Sequence, residues 1–142
     1  MKKTGGIWIT PVGVVHCGLH ASADAPKNYT ESTETGRLEI FPHYLEAMDG
    51  IENGTTLMVL FWLHQARRDL LKVHPRGDRN RGLRGVFATR SPARPNPIAA
   101  SELTVLGVHN NQIEVFGVDV IDGTPILDIK SVVAQRQGTA EN

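Results

Sequence analysis

Short apolar runs separated by turn residues dominate this chain of 142 residues. Runs of this length and alternation are typical of β-strands, and they fall at residues 10–17, 37–40, 56–63, 85–90, 103–108, 112–118 and 125–129. The uninterrupted apolar run at 56–63 predicts a strand buried on both faces. Closing the strands into a barrel removes exposed sheet edges. The sequence therefore predicts a mostly β fold, a single small β-barrel domain.

Two shorter signals complete this prediction. Pro42 is typical of a helix start and Asp49-Gly50 of a helix end, so one short helix is expected between them. Residues 109–111, between two strand-like runs, predict a hairpin turn. The domain is expected to span residues 1–142, with a core at about 10–133 and frayed termini, including the polar tail from Gln135.

Composition restricts the compartment and the class of site. No apolar run reaches the length of a membrane span, and no long apolar stretch follows Lys2 and Lys3, so neither a membrane segment nor a secretory signal is expected. The lone cysteine, Cys17, excludes an internal disulfide and fits a reducing, cytoplasmic location; we interpret it as a small core residue. His16 and His20 are interpreted as ordinary histidines rather than ligands, so no metal is expected.

Positive charge is concentrated in one segment of the chain. Residues 66–94 hold nine of the 15 basic residues and two acidic ones, a net charge of +7 in a chain whose total is zero. Such a segment is able to meet phosphates, although a solvated loop of flexible arginines has the same composition. Phe61 and Trp62, just before it, are expected in the core, with base stacking as the alternative.

Two stretches of the sequence have residue patterns that a purely structural role does not require. The run GVFATRSPARPNPI at residues 85–98 has three prolines directly after a predicted strand, which stiffen a loop that presents Arg90, Arg94 and Asn96. The run GVDVIDGTPILDIK at residues 117–130 contains a tight turn whose backbone amides and hydroxyl are able to hold a polar ligand. Two well-made turns without a ligand are the alternative, but a ligand site is favoured for donor-rich loops on a barrel rim.

Both stretches resemble the signature of the TsaA-like family, the β-barrel tRNA methyltransferases also called TrmO. That signature reads close to G-V-F-A-T-R-S-P-x-R-P-N-P-I followed by D-x-x-D-G-T-P-x-x-D-I-K, and both parts occur here in order. Milder similarity extends the resemblance over about residues 10–130. The resemblance implies a TsaA-like barrel that binds S-adenosylmethionine, forms a homodimer, and methylates N6 of threonylcarbamoyl-modified adenosine beside the anticodon of tRNA.

The resemblance also implies which residues contact the cofactor. They lie at a predicted strand end, in and after the proline-rich loop, and in the tight turn: His64, Gln65, Arg90, Ala100, Asp122, Gly123, Thr124 and Pro125. A further contact in the first long loop falls on Pro26, Lys27 and Asn28, where the family has Pro-Arg-Gln.

Substrate contacts are expected from the proline-rich loop and the basic segment. We assign them to Arg94, Asn96, Arg76, Arg79, Arg81 and Arg84. The chain departs from the family before residue 85, where P-P-R-x-G-G is replaced by a more basic stretch, and after Lys130, where Pro-Tyr is replaced by Ser131 and Val132.

Transfer of a methyl group to an exocyclic adenine nitrogen requires a group that accepts the proton of that nitrogen. Asp122 and Asp128 are the carboxylates assigned to this catalytic role. The alternative is that Asp122 caps the turn and that Asp128 pairs with Lys130 or Arg90. Arg90 and Arg94 similarly either bind a carboxylate or phosphate, or satisfy carbonyl oxygens at the barrel rim.

Three functions remain open at this level. The first is the tRNA methyltransferase that the resemblance implies. The second keeps the cofactor and acts on a small molecule or another RNA. The third is a module that binds S-adenosylmethionine or RNA without catalysis.

Overall fold

A computed structural model describes residues 5–21, 25–26 and 29–133. Within these residues the chain forms eight strands: β1 (Gly13–Cys17), β2 (Thr35–Ile40), β3 (Thr56–Trp62), β4 (Lys72–Val73), β5 (Arg84–Gly85), β6 (Ile98–His109), β7 (Gln112–Phe116) and β8 (Pro125–Ser131). The tail from Gln135 and two residues of the predicted cofactor loop, Lys27 and Asn28, lie outside the described residues.

Six of the strands close into a barrel in the order β1-β2-β7-β6-β3-β8, and β8 pairs with β1 to complete the ring. Every pairing is antiparallel. The remaining strands, β4 and β5, form a separate two-stranded sheet within the basic segment. The predicted fold class, a small mostly β barrel with one short helix and a basic loop, is confirmed.

Alternation of side chains along the strands builds the interior. Leu57, Val59 and Phe61 of β3 point inward and meet the inward residues of β6 and β8. Met58, Leu60 and Trp62 lie on the outer face and are half-buried. The prediction that this strand is buried on both faces is therefore wrong, because the barrel has one interior. Phe61 is in the core as expected, whereas Trp62 is on the outer surface.

Several predicted elements differ in length or type. The helix from Pro42 to Met48 is a 3-10 helix. The strand predicted at 85–90 is the end of β5 followed by a 3-10 turn at Val86–Ala88. The hairpin between β6 and β7 is present, and Asn110 takes a positive φ of 55° there, a conformation that asparagine tolerates better than most residues. A bulge between Val105 and Gly107 interrupts the register of the same hairpin.

Most residues of the two signature stretches, 85–98 and 117–130, lie at one end of the barrel. The antiparallel register places the end of β3 beside the starts of β6 and β8: Trp62 pairs with Ile98, and Phe61 pairs with Ile126. The loop of residues 117–124 enters β8 at the same end. We call this end of the barrel the signature rim.

Candidate functional site

His64 and Gln65 lie in the turn that follows β3, at the signature rim. Both side chains are exposed. The turn is held by two backbone hydrogen bonds: the Leu63 amide donates to Pro97 at 2.8 Å, and the Ala66 amide donates to Leu63 at 3.0 Å. The backbone is therefore fixed while the two predicted cofactor side chains face solvent.

The tight turn at residues 122–125 uses its own donors to hold β1. The Asp122 amide donates to Leu19 at 2.6 Å and the Gly123 amide to Val15 at 2.9 Å, and Gly123 has a positive φ of 83°. The Thr124 hydroxyl donates to the carbonyl oxygen of Ile121 at 2.7 Å, and Thr124 is buried. In this structure these amides and this hydroxyl form hydrogen bonds within the protein. A cofactor contact by this turn stays a prediction.

Both carboxylates assigned to catalysis have partners in the structure. Asp122 Oδ1 accepts a hydrogen bond from the Cys17 amide at 3.0 Å, so it caps the end of β1. Asp128 Oδ2 lies 3.1 Å from Lys130 Nζ, and its Oδ1 accepts from the Ile129 amide at 2.9 Å. The Asp128–Lys130 pair is the alternative stated from the sequence, whereas the Asp122 carboxylate binds the Cys17 amide rather than an amide of its own turn. A catalytic role for either residue stays a prediction.

Arg90 joins the proline-rich loop to the barrel wall. Its Nη2 donates to the carbonyl oxygen of Ala100 in β6 at 2.5 Å, and its Cζ lies 5.6 Å from the centre of the Tyr29 ring. Ala100 pairs with Leu60, which pairs with Asp128, so these three residues form an outward-facing row at the rim. The structure thus joins Arg90 directly to Ala100 and places Asp128 two strands away in the same row.

Sequence reasoning assigned no role to Asp119, yet its carboxylate lies in the same region. Asp119 Oδ1 accepts a hydrogen bond from the Ser101 hydroxyl at 2.7 Å, and Ser101 is 1% exposed. Burial raises the pKa of the Asp119 carboxyl, while the Ser101 hydrogen bond and the charge of Arg90 act in the opposite direction. One feature of the sequence could have identified Asp119: it is the first aspartate of the D-x-x-D-G-T-P signature.

The residues assigned to substrate fall into two groups. Arg94 is half-buried and donates to three carbonyl oxygens, those of Thr89, Ser91 and Val86, at 3.0–3.4 Å. Asn96 accepts from Arg68 Nη2 at 3.2 Å. These two side chains stabilise the proline-rich loop itself.

The other substrate residues lie on the surface of the basic segment. Arg76 pairs with Glu31 at 2.5 Å. Arg79, Arg81 and Arg84 are exposed and have no side-chain partner in the described part of the chain. Nearby, Arg68 lies over the ring of Trp62, with 5.2 Å between Cζ and the ring centre. The guanidinium groups most open to an external anion are thus those of residues 79–84.

Two other residues from the sequence analysis have ordinary roles. His16 Nε2 lies 2.7 Å from Glu39 Oε1. The Cys17 thiol donates to the Val120 carbonyl at 3.4 Å, and burial raises its pKa, so the thiolate form is disfavoured. No group of three or more potential metal-ligating side chains occurs among the described residues. None of the helices in the described ranges is both long and apolar enough to span a membrane.

An open cavity of about 870 Å³ lies beside Asp122 on the outer face of β1, β2 and β7. Its lining includes Cys17, Arg37, Glu114 and Asp122. Asp122 thus lies both at the signature rim and in the lining of this polar cavity, which was not predicted from the sequence.

Comparison with known proteins decides the family. The sequence model of the tRNA-methyltransferase O N-terminal domain matches residues 14–136. The chain belongs to this family. A probable S-adenosyl-L-methionine-binding protein of Methanothermobacter thermautotrophicus is 45% identical over 87% of this chain and 88% of its own length. An S-adenosyl-L-methionine-binding protein of Archaeoglobus fulgidus is 39% identical over 86% of each chain.

The solved structures agree with the family assignment. The crystal structure of TrmO from Pseudomonas aeruginosa superposes with a TM-score of 0.73 at 29% identity. The superposition covers 99% of this chain and 64% of that TrmO chain, so this chain spans somewhat less than two thirds of its length. The resemblance inferred from the two signature stretches is confirmed.

Proposed function

We propose that this chain is an S-adenosylmethionine-dependent methyltransferase that acts on N6 of threonylcarbamoyl-modified adenosine next to the anticodon of tRNA. The observation that carries the proposal is the family match over residues 14–136 on a barrel of the TrmO type. The cofactor prediction is confirmed at the level of the family, because the relatives are named for binding S-adenosylmethionine. A homodimer and a cytoplasmic location belong to the proposal as well.

The chemistry of the signature rim fits this cofactor. S-adenosylmethionine carries a carboxylate, two cationic groups and an adenine ring. Arg90 uses Nη2 to reach Ala100, and a guanidinium has five N–H donors, so other donors remain for a carboxylate. His64 and Gln65 present exposed polar side chains at the end of β3, and in the turn at residues 122–125 Asp122 is half-buried and Gly123 is exposed. We assign cofactor binding to these residues.

The basic segment fits an RNA backbone. Arg79, Arg81 and Arg84 extend from the 3-10 turn at Arg79–Arg81 and from β5, and all three are exposed. Lys and Arg side chains that meet phosphates supply most of the salt-dependent affinity for nucleic acid. We assign the tRNA contact to this surface, while Arg94 and Asn96 support it by holding the proline-rich loop in shape.

When bound, the cofactor would supply a methyl group attached to a sulfonium sulfur. The adenine nitrogen would form a bond to the methyl carbon, in line with the carbon–sulfur bond that breaks, and the thioether would leave. The protein must exclude water, orient the nitrogen and accept its proton. Asp128 is the assigned acceptor that lies in the outward row with Leu60 and Ala100, and Asp122 is the one that caps β1. Loss of turnover with cofactor affinity retained, in Asp122→Asn or Asp128→Asn, would support the assignment. Unchanged turnover removes that residue from the mechanism.

The deciding experiment has two stages. Calorimetric titration of S-adenosylmethionine into wild-type protein, Arg90→Ala and Arg81→Ala tests the cofactor site. Binding should be lost in Arg90→Ala and kept in Arg81→Ala, because Arg81 is an exposed arginine of the basic segment that the proposal assigns to tRNA and not to the cofactor. Incubation with tRNA carrying unmethylated threonylcarbamoyl adenosine, followed by mass analysis of its nucleosides, then tests the reaction. The absence of a mass gain of one methyl group would contradict the proposed substrate.

A second candidate function is binding of S-adenosylmethionine without methyl transfer. Its support is that the relatives matched over 86–88% of their length are named binding proteins. The two candidates differ in whether a methylated nucleoside forms in the presence of the tRNA substrate. If the cofactor binds and no methylated nucleoside forms, the binding module is favoured. A methylated nucleoside excludes it.

A further inference from the structure

Asp119 and Arg90 approach the same stretch of β6 from different loops. The Ser101 hydroxyl donates to Asp119 at 2.7 Å, and the carbonyl oxygen of the preceding residue, Ala100, accepts from Arg90 at 2.5 Å. An acidic and a basic side chain are therefore anchored on two consecutive residues of one strand. The Tyr29 ring, 5.6 Å from the Arg90 guanidinium carbon, flanks the basic member.

The two charges lie near each other without forming an ion pair. The charge of Arg90 lowers the pKa of Asp119, yet no contact within 4.0 Å joins the two side chains in the part of the chain that the structure describes. Burial has the larger influence on Asp119 and opposes its ionisation. The donors to this half-buried carboxylate are the Ser101 hydroxyl and the backbone amide of Asp119 itself. Both donors are neutral, so the charge is incompletely compensated, and a cationic donor from a ligand would complete its coordination.

We propose that Asp119 binds the α-ammonium group of the cofactor's methionyl end while Arg90 binds the adjacent carboxylate. The α-ammonium and the carboxylate of an amino acid are separated by one carbon, so a neighbouring acid and base recognise both together. The ammonium suits Asp119 better than the sulfonium does, because the ammonium donates hydrogen bonds and the sulfonium has none to donate. This assignment rests on the proposed cofactor and adds a residue that holds its amino-acid end.

A purely structural role for Asp119 makes a different prediction. If Asp119 only orients Ser101 and the loop of residues 117–124, its removal would weaken the binding of every ligand at the rim by a similar factor. If Asp119 contacts the ammonium, its removal would weaken only ligands that carry this group. A ligand that lacks the ammonium and keeps everything else therefore separates the two roles.

The test titrates two ligands into three proteins. The ligands are S-adenosylhomocysteine and its deaminated analogue, in which hydrogen replaces the α-amino group. The proteins are the wild type, Asp119→Asn, and the control Asp49→Asn, which changes an exposed aspartate after the 3-10 helix at Pro42–Met48. We expect wild type and Asp49→Asn to prefer S-adenosylhomocysteine by about tenfold to a hundredfold, the strength of a charge-assisted hydrogen bond. Asp119→Asn should lose this preference and bind the analogue as the wild type does.

Two results would overturn the inference while leaving the proposed function intact. One is an Asp119→Asn protein that keeps the wild-type preference, and the other is a wild type that binds both ligands equally. Failure of the wild type to bind either ligand or S-adenosylmethionine would overturn the proposed function and this inference with it. If Asp119→Asn does not fold, Ser101→Ala removes only the hydroxyl that orients the carboxylate. In that variant the preference should fall by about twofold to tenfold.

Discussion

The barrel and the basic segment use the same residue types in opposite ways. Phe61 in β3 is completely buried, whereas Phe87, in the 3-10 turn after β5, is 84% exposed. A second contrast lies within the basic segment: the Arg94 guanidinium donates to three backbone carbonyls of its own loop, whereas the Arg81 side chain is exposed. Apolar burial thus stabilises the barrel and Arg94 stabilises its loop, while exposure leaves side chains such as Arg81 for a partner.

The attachment of the basic segment explains this contrast. Its two-stranded sheet pairs over Lys72↔Gly85 and Val73↔Arg84. Polar contacts such as the Arg68 guanidinium on Pro95 and the Arg76 ion pair with Glu31 fasten the segment and its flanks. Apolar burial, which dominates folding stability, is concentrated in the barrel. The exposed positions of the segment, such as Arg79, Arg81 and Arg84, are therefore able to vary in sequence with little effect on the fold.

The largest expected effect comes from one substitution made in both regions. Phe61→Ala leaves a cavity in the barrel core and should reduce the free energy of unfolding by about 3–5 kcal/mol. Phe87→Ala removes an exposed ring and should change it by no more than about 0.5 kcal/mol. Urea unfolding followed by circular dichroism measures both. Similar losses in the two variants would show that the basic segment contributes to the core.

Two arginine replacements test the contrast within the basic segment, and their expected effects are smaller. Arg94→Ala removes the donor for three carbonyl oxygens and should cost about 1–3 kcal/mol of unfolding free energy. Arg81→Ala is the matched control and should stay within about 0.5 kcal/mol of the wild type. Thermal unfolding of both proteins at one pH gives the difference. Equal stability would mean that the Arg94 contacts are not retained in solution.

Salt dependence tests the recognition role of the basic segment. Arg79→Ala, Arg81→Ala and Arg84→Ala should each reduce the slope of log affinity for tRNA against log salt by about 0.7–0.9, the release of about one counterion. Arg37→Ala on β2 should leave the slope unchanged, since Arg37 lies outside this segment. Filter binding at several salt concentrations provides the slopes. If the Arg37 variant changes the slope as much as the others, the RNA surface is not confined to residues 79–84.

The smallest effect is a pH dependence that arises from Asp119. Burial raises the pKa of this carboxyl in the folded protein, so the protonated form is favoured there. Its contribution to stability is present in full below the unfolded-state pKa and is lost as the pH rises through the folded-state pKa. In that window the cofactor-free wild type should lose stability relative to Asp119→Asn. Unfolding free energies of both proteins across this pH range measure it, and parallel curves would contradict the prediction.

Local sequence was sufficient for the fold class and the family. Strand alternation, the Asn110 hairpin and the 3-10 helix after Phe41 depend on neighbouring residues, so their chemistry is readable along the chain. The charge asymmetry of residues 66–94 is likewise a property of composition. The long signature stretches indicated the family because residue types and their order are retained in them.

Only the tertiary structure decided which donors and charges face each other. The amides of Asp122 and Gly123 hold β1, more than 100 positions away in the sequence, so their use could not be read from the turn itself. Asp119 meets Ser101 because the antiparallel register of β6 and β7, with Thr104 opposite Phe116, continues to this pair, and it lies near Arg90 because the loop that holds Arg90 folds back onto the same part of β6. Hydrogen bonds and charge interactions act over a few ångströms in space, irrespective of separation along the chain.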